Sequence, residues 1–87
     1  MSELPLAQAL GWSEPEFLRR TEGSPLRRIG HERWLRNVAI AAGNALARLP
    51  AVDAAPLRQA LAAHLAHPSS LVREHVQWAL EQGGAGG

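Results

Sequence analysis

The stretch that decides the fold is GHERWLRNVAIAAGNALAR, which runs from Gly30 to Arg48. Its apolar residues recur every three or four positions along two adjacent rows, a spacing typical of a helix that packs on both flanks. We therefore predict a central helix over residues 30–48. Gly43 lowers its helix propensity by about 1 kcal/mol relative to alanine. This suggests that another helix approaches closely there; the alternative is a mild defect in the helix. The two rows are Trp34, Val38 and Ala41, and Leu35, Ala39, Ala42, Leu46 and Leu49.

Two shorter helices are predicted before the central one. Ser2 can cap the first, with Leu6, Ala7 and Leu10 as its buried side and Gly11 as its end. Ser13 and Glu16 have the spacing of a capping box, in which each side chain bonds the backbone amide of the other. This pattern predicts a helix over about residues 14–21. Trp12 and Phe17 flank the cap with the spacing of a hydrophobic staple.

Two more helices are predicted after Pro50, which ends the central helix. Asp53 is the expected cap of a helix over about residues 54–66, with Leu57, Leu61 and Leu65 facing inward. The turn His67-Pro68-Ser69-Ser70 then starts a helix over about 70–82. The sequence thus predicts an all-α fold of four to five short helices in HEAT-like antiparallel hairpins. Residues 1–82 form one HEAT-like domain, with 57–82 as one repeat, and 83–87 form a disordered glycine-rich tail.

Composition narrows the classes of function. The chain has 87 residues and a net charge of +1, enough for one small domain. It has no cysteine, which excludes disulfides, thiolate metal sites and a cysteine nucleophile. No apolar run approaches the ~20 residues of a membrane span. The first residues lack the pattern of a signal peptide, so we expect a cytoplasmic protein with no membrane partner.

Positive charge is concentrated before and within the start of the central helix. Six arginines and only two glutamates, Glu22 and Glu32, lie in residues 19–36. Such a patch is typical of a surface that binds polyanions. The alternative is a solvated basic face paired with the two glutamates. For Asn37, the residues alone favour an amide that caps the core, with contact to a base or ribose as the alternative. The predicted RNA-binding residues are Ser24, Arg27, Arg28, Arg33, Arg36 and Asn37.

Other candidate sites are weaker. His64, His67 and His75 suggest a zinc site by spacing, but no carboxylate completes a ligand set, so we predict no metal site. Trp34 and Trp78 have core spacing and are expected to pack inside the fold rather than stack on bases. No set of residues supports catalysis, and no catalytic residue is predicted.

Two blocks carry a resemblance to a known family. Residues 22–41, EGSPLRRIGHERWLRNVAIA, and residues 67–80, HPSSLVREHVQWAL, closely resemble the C-terminal region of bacterial epoxyqueuosine reductases. The match extends roughly from Leu4 to Gln82. The resemblance implies a HEAT-like module that docks the anticodon stem–loop of tRNA. It also implies a catalytic part, with cobalamin and two 4Fe–4S clusters, that reduces epoxyqueuosine to queuosine at the wobble position.

The sequence departs from that family in two respects. The cluster-binding cysteines and the cobalamin-binding part are absent, so the chain resembles the carboxyl-terminal domain alone and is not expected to be an enzyme by itself. The expected partners are tRNA and a catalytic part supplied in cis or in trans. His67 occupies a position that HEAT repeats often give to aspartate, which weakens an expected bond to Arg73. The alternative function is a HEAT-type protein–protein interaction module, which an apolar groove would favour.

Overall fold

The computed structural model describes residues 6–84, of which 77% are helical and none lies in a strand. The predicted all-α fold is confirmed. The predicted Ser2 cap and residues 85–87 of the predicted tail lie outside the described residues. Gly83 and Gly84, which the prediction placed in the tail, are the last residues of the final helix. The helices are α1 (Leu6–Leu10), α2 (Glu14–Arg20), a 3₁₀ helix (Pro25–Ile29), α3 (Gly30–Leu46), α4 (Ala51–Ala62) and α5 (Ser70–Gly84).

α3 is the central helix, as predicted. Its buried residues recur at intervals of three and four, so one face of the helix lies in the core. Ala41 and Leu49, which the prediction included in that face, are exposed instead. Leu49 leaves the face because α3 already ends at Leu46, and Ala41 lies on the solvent side of the helix. The buried residues are Leu35, Val38, Ala39, Ala42, Gly43 and Leu46.

α5 packs along α3 in the most extensive helix–helix contact of residues 6–84. The two helices run in the same direction, because Ser69 at the start of α5 bonds Glu32 in the first turn of α3, while Ala79 lies beside Gly43 further along both. A β-carbon at Gly43 would lie 3.0 Å from Cα of Ala79 and 2.5 Å from Cζ3 of Trp78. The predicted close approach of another helix at Gly43 is confirmed.

α4 runs back from the end of α3 to the start of α5, so α3, α4 and α5 alternate in direction. It begins at Ala51, and the Pro50 carbonyl accepts the Ala54 amide at 2.9 Å. The predicted cap at Asp53 is wrong, because the helix starts earlier and places Asp53 in its first turn. A carboxylate there interacts favourably with the positive end of the helix dipole. α5 contacts α3 more extensively than it contacts α4.

The end of α4 also differs from the prediction. The helix stops at Ala62 rather than near residue 66, and tight turns follow in which the His64 amide bonds the Leu61 carbonyl at 2.9 Å. Nε2 of His64 donates to the Leu10 carbonyl at 2.6 Å, which satisfies a carbonyl at the end of α1. Leu65 is 40% exposed and does not continue the inward row, since the helix no longer carries it.

An aromatic cluster holds α2 against the start of α3. Trp12 stacks on Trp34 with ring centroids 5.2 Å apart, and Phe17 meets Trp34 at 5.6 Å. The predicted staple residues are therefore joined through Trp34. Ser13 accepts the Glu16 amide at 3.3 Å, as the predicted capping box requires. The Glu16 carboxylate does not return this contact and instead accepts from an arginine of the last turn of α2 at 2.9 Å.

Candidate nucleic-acid interface

The basic segment begins with a turn that leads into a short helix. Gly23 has φ +79°, a left-handed conformation that glycine adopts without steric cost. The Ser24 hydroxyl accepts the Leu26 amide at 3.1 Å and caps the 3₁₀ helix. Arg27 and Arg28 were predicted on a loop, but they are exposed residues of this helix. Their backbone is therefore held in place, while their side chains reach solvent.

The second part of the basic segment lies on α3. Gly30, with φ +84°, joins the 3₁₀ helix to α3, and the two helices pack against each other. Arg33 and Arg36 are three residues apart and so lie on the same side of α3. Arg33 is exposed, whereas Arg36 is half-buried. The structure thus places two pairs of predicted arginines on two elements that contact each other.

Asn37 is exposed, so the prediction that its amide caps the core is wrong. Its Oδ1 accepts hydrogen bonds from Nε and Nη2 of Arg36 at 3.2 and 3.0 Å. A guanidinium group has five N–H donors, so Arg36 keeps donors that a ligand can use. Asn37 therefore orients the Arg36 side chain at the candidate surface.

No carboxylate within residues 6–84 forms an ion pair with Arg27, Arg28, Arg33 or Arg36. The ion pairs of that range join Glu16 to two arginines of α2 at 2.9 and 3.9 Å. Pairing of the basic face with Glu22 and Glu32 is not found there. The Glu32 carboxylate instead accepts a hydrogen bond from the Ser69 hydroxyl. Arginines without a carboxylate partner are available for phosphate oxygens, which they bind through charge-assisted hydrogen bonds.

A shallow pocket of about 430 Å³ lies beside the first turn of the basic segment. It is lined by Gly23, Ser24, Pro25 and Arg28. Two of the six predicted residues, Ser24 and Arg28, therefore share one cavity. The other predicted residues do not line it, so the structure places them on the adjoining surface of the 3₁₀ helix and α3.

Three contacts anchor the first turns of α3 beneath this surface. Nε2 of His31 donates to the Trp12 carbonyl at 2.7 Å, Glu32 bonds Ser69 at the start of α5, and the ring of Trp34 stacks on Trp12. They tie the basic segment to α2 and to α5. The predicted packing role of Trp34 is confirmed.

Two features near the arginines were not predicted. Leu26 precedes Arg27 on the 3₁₀ helix and is 46% exposed, which places an apolar side chain among the cations. The Arg20 guanidinium lies 5.0 Å from the centroid of the Trp12 ring, a cation–π contact. Neither followed from local spacing, because the 3₁₀ helix was not foreseen and the Trp12–Arg20 contact spans the whole of α2.

A second surface contains Trp78, which packs on α3 but is not enclosed in the core as predicted. Its side chain is 38% exposed and lies over Gly43, where the absence of a side chain leaves room for the ring. A pocket of about 430 Å³ is lined there by Ile40, Glu74, His75 and Trp78. This is the apolar depression that would favour binding of a protein.

The histidine rings form hydrogen bonds to backbone groups within the fold. His64 and His31 donate to backbone carbonyls, and Nδ1 of His75 donates to the Leu71 carbonyl at 2.8 Å. Within residues 6–84, no group of three histidine or acidic residues is arranged to hold a metal ion. In the same range, no helix combines the length and apolarity needed to cross a bilayer.

Comparison with known proteins identifies the relatives of this chain. It is 62% identical over 79 residues to the epoxyqueuosine reductase of Alicycliphilus denitrificans, and 56% identical over 79 residues to that of Pseudomonas aeruginosa. The chain is homologous to a segment of the epoxyqueuosine reductases. The matches cover 90% and 91% of the chain but only 22% and 20% of those reductases. The predicted resemblance is confirmed.

A more distant relative gives the same result. The epoxyqueuosine reductase of Escherichia coli is 46% identical over 77 residues, which cover 88% of this chain and 18% of that protein. The chain therefore spans about a fifth of the length of the curated reductases it matches. No protein-family model and no solved structure matches the chain.

Proposed function

We propose that this chain is the tRNA-binding part of an epoxyqueuosine reductase and that it docks the anticodon stem–loop of the substrate. Homology to the reductases supports the family. The observation that carries the proposal is the set of four arginines without a carboxylate partner in residues 6–84. In this role the module positions the wobble nucleotide, where epoxyqueuosine is reduced to queuosine.

The arginines suit phosphate binding in chemistry and in placement. A guanidinium group is planar, stays charged and can donate two parallel hydrogen bonds to one phosphate. Arg27 and Arg28 are exposed on the 3₁₀ helix, and Arg33 is exposed on the α3 helix that packs against it. Because the two elements are in contact, their arginines can follow one strand of the RNA backbone.

Ser24 and Arg36 would add polar contacts beside these three arginines. The Ser24 hydroxyl accepts the Leu26 amide and still has its own proton to donate to a phosphate oxygen. Arg36 is oriented by Asn37 and retains unused N–H donors. Contacts of this kind fix the position of the RNA but do not read its sequence. The choice of substrate is therefore assigned to the catalytic part and to the modified nucleotide.

The residues of this chain do not fit the iron–sulfur clusters that the family resemblance implies. Such clusters are held by cysteine thiolates, and the sequence has no cysteine. We therefore assign the reduction of the epoxide, with its cobalamin and iron–sulfur clusters, to the remaining part of the reductase, in cis or in trans. The role of this chain is to bind and orient the substrate.

The proposal is tested by measuring the affinity of the chain for an anticodon stem–loop RNA by fluorescence anisotropy. We expect a dissociation constant on the order of micromolar at physiological salt, because phosphate contacts supply most of the binding. Affinity should rise steeply as the salt concentration falls. If no saturable binding is seen even at low salt, where electrostatic attraction is strongest, the proposal is wrong.

A protein-interaction module is the second candidate, because the pocket at Trp78 presents an exposed aromatic ring. We expect Arg33→Ala to weaken RNA binding and Trp78→Ala to leave it unchanged. If the chain is instead a protein-interaction module, RNA is not its specific ligand. Neither substitution should then change the RNA affinity that is measured. A loss in Trp78→Ala alone would move the RNA contact to the Trp78 surface.

A further inference from the structure

The turn between α4 and α5 is closed by a titratable side chain. Nδ1 of His67 accepts the backbone amide of Ser69 at 3.0 Å, so that nitrogen carries no proton. The Ser69 hydroxyl accepts the Val72 amide at 3.3 Å and donates to the Glu32 carboxylate. His67 therefore holds in place the residue that caps α5 and links it to the first turn of α3.

The surroundings of His67 disfavour a positive charge on its ring. The centroid of the His64 ring lies 5.7 Å away, and the Arg73 guanidinium donates to the His67 carbonyl at 2.6 Å. The charge of His31, on α3, also acts on His67. Glu32, also on α3, is the carboxylate that opposes these groups. A positive charge on His67 is thus disfavoured by two histidines and an arginine and favoured by one carboxylate.

We propose that this turn is a pH-sensitive switch, in which protonation of His67 at Nδ1 releases the Ser69 amide and loosens the start of α5. A protonated Nδ1 is a donor, and it cannot accept a hydrogen bond from another donor. The Ser69 amide then loses its partner, which destabilises the folded turn. Loosening reaches α3 as well, because the same serine is bonded to Glu32.

The direction of the pH dependence follows from linkage. The pKa of His67 is lowered from its ordinary value, first by burial and then by the positive charges of His64 and His31, with Glu32 opposing and Arg73 adding to the effect. In the unfolded chain the pKa returns to about 6.5, so the unfolded state binds the proton more readily. The stabilisation is therefore complete above that pKa and is lost as the pH falls toward the lowered pKa of the folded state.

The switch is tested by denaturant unfolding of the wild type, His67→Asn and His67→Ala at about pH 7.5 and about pH 5.5, on either side of the ordinary histidine pKa. The asparagine oxygen can accept the amide two residues on and does not titrate, whereas alanine removes the acceptor at both pH values. We expect the wild type to lose more stability on acidification than either variant. Other titrating groups are common to the three proteins and cancel in the comparison.

A titration followed by NMR needs no variant and keeps the proposal testable if a variant fails to fold. The amide signal of Ser69 should shift with the same midpoint as the ring protons of His67. Equal losses of stability in the three proteins on acidification would overturn the proposal. So would a Ser69 amide signal that stays unchanged while His67 titrates.

Discussion

The two ends of α3 are built from opposite kinds of residue. At the amino-terminal end Arg33 is exposed, and no carboxylate of residues 6–84 pairs with it. Toward the other end Ala42 and Gly43 are buried, and a β-carbon on Gly43 would collide with Trp78 and Ala79. The first end carries a positive charge without a carboxylate partner in residues 6–84, and the second end has no room for an added side chain. We therefore expect substitutions of the exposed arginines at the first end to change binding, and substitutions of packed residues at either end to change stability.

The largest expected effect tests whether the end of α3 that carries Arg33 is supported by packed aromatic side chains. Trp34 lies at that end but stacks on Trp12 and packs at an angle against Phe17. We expect Trp34→Ala to lower the free energy of unfolding by about 3–5 kcal/mol. Trp78→Ala removes a partly exposed ring and should cost about 1–2 kcal/mol. Both are measured by denaturant unfolding.

The comparison between the tryptophans also shows what Trp34 does. Equal losses of stability in the two variants would contradict the difference in their surroundings. A Trp34→Ala protein that stays fully stable but binds RNA more weakly would make Trp34 part of the binding surface rather than of its base.

The next effect tests the packed end of α3. Leucine at Gly43 cannot be accommodated while α5 stays in place, because Cα of Ala79 lies 3.0 Å from the position of its β-carbon. We expect Gly43→Leu to cost about 1–3 kcal/mol of stability, measured by thermal or denaturant unfolding. Asn44→Leu changes the exposed neighbour and is the matched control, with an effect within about 0.5 kcal/mol. If the two variants are equally stable, the close contact between α3 and α5 is not structurally required.

Features that depend on neighbours along the chain were predictable from the sequence. The apolar spacing of α3 gave its position, because one face of a helix must be covered. Gly43 indicated a close approach, since a glycine within a helix is otherwise unfavourable. The cap at Ser13 was recognised for the same reason, because its partner, the Glu16 amide, is three residues away.

Features that depend on distant partners were not predictable. The end of α4 was placed too late, because the bond from His64 to the Leu10 carbonyl joins residues that are far apart in the sequence. Trp78 has core spacing within α5, but only the packing of α5 on α3 decides how much of its ring is covered.

The candidate site was predictable as a composition but not as an arrangement. The arginines stand out by their number, whereas the partner of Glu32 is Ser69, on another helix. From the sequence alone, Glu32 was as suitable a partner for Arg33 or Arg36 as for any other group. Only the structure shows that Glu32 bonds Ser69 and leaves these arginines without it as a partner.

The final test uses the salt dependence of RNA affinity in four proteins: wild type, Arg27→Ala, Arg33→Ala and Arg48→Ala. Arg48 is exposed just beyond the opposite end of α3 and is the matched control. Arg73 is unsuitable as a control, because it donates to the His67 carbonyl and supports the α4–α5 turn. All three substitutions should change stability by no more than about 0.5 kcal/mol, as is usual for surface positions.

Binding to a phosphate releases condensed counterions, so each arginine that does so steepens the log–log dependence of affinity on salt. We predict that Arg27→Ala and Arg33→Ala reduce this slope by about 0.7–0.9 each, while Arg48→Ala keeps the slope of the wild type. Equal slopes in all four proteins would contradict the assignment of RNA binding to the amino-terminal end of α3 and the 3₁₀ helix before it.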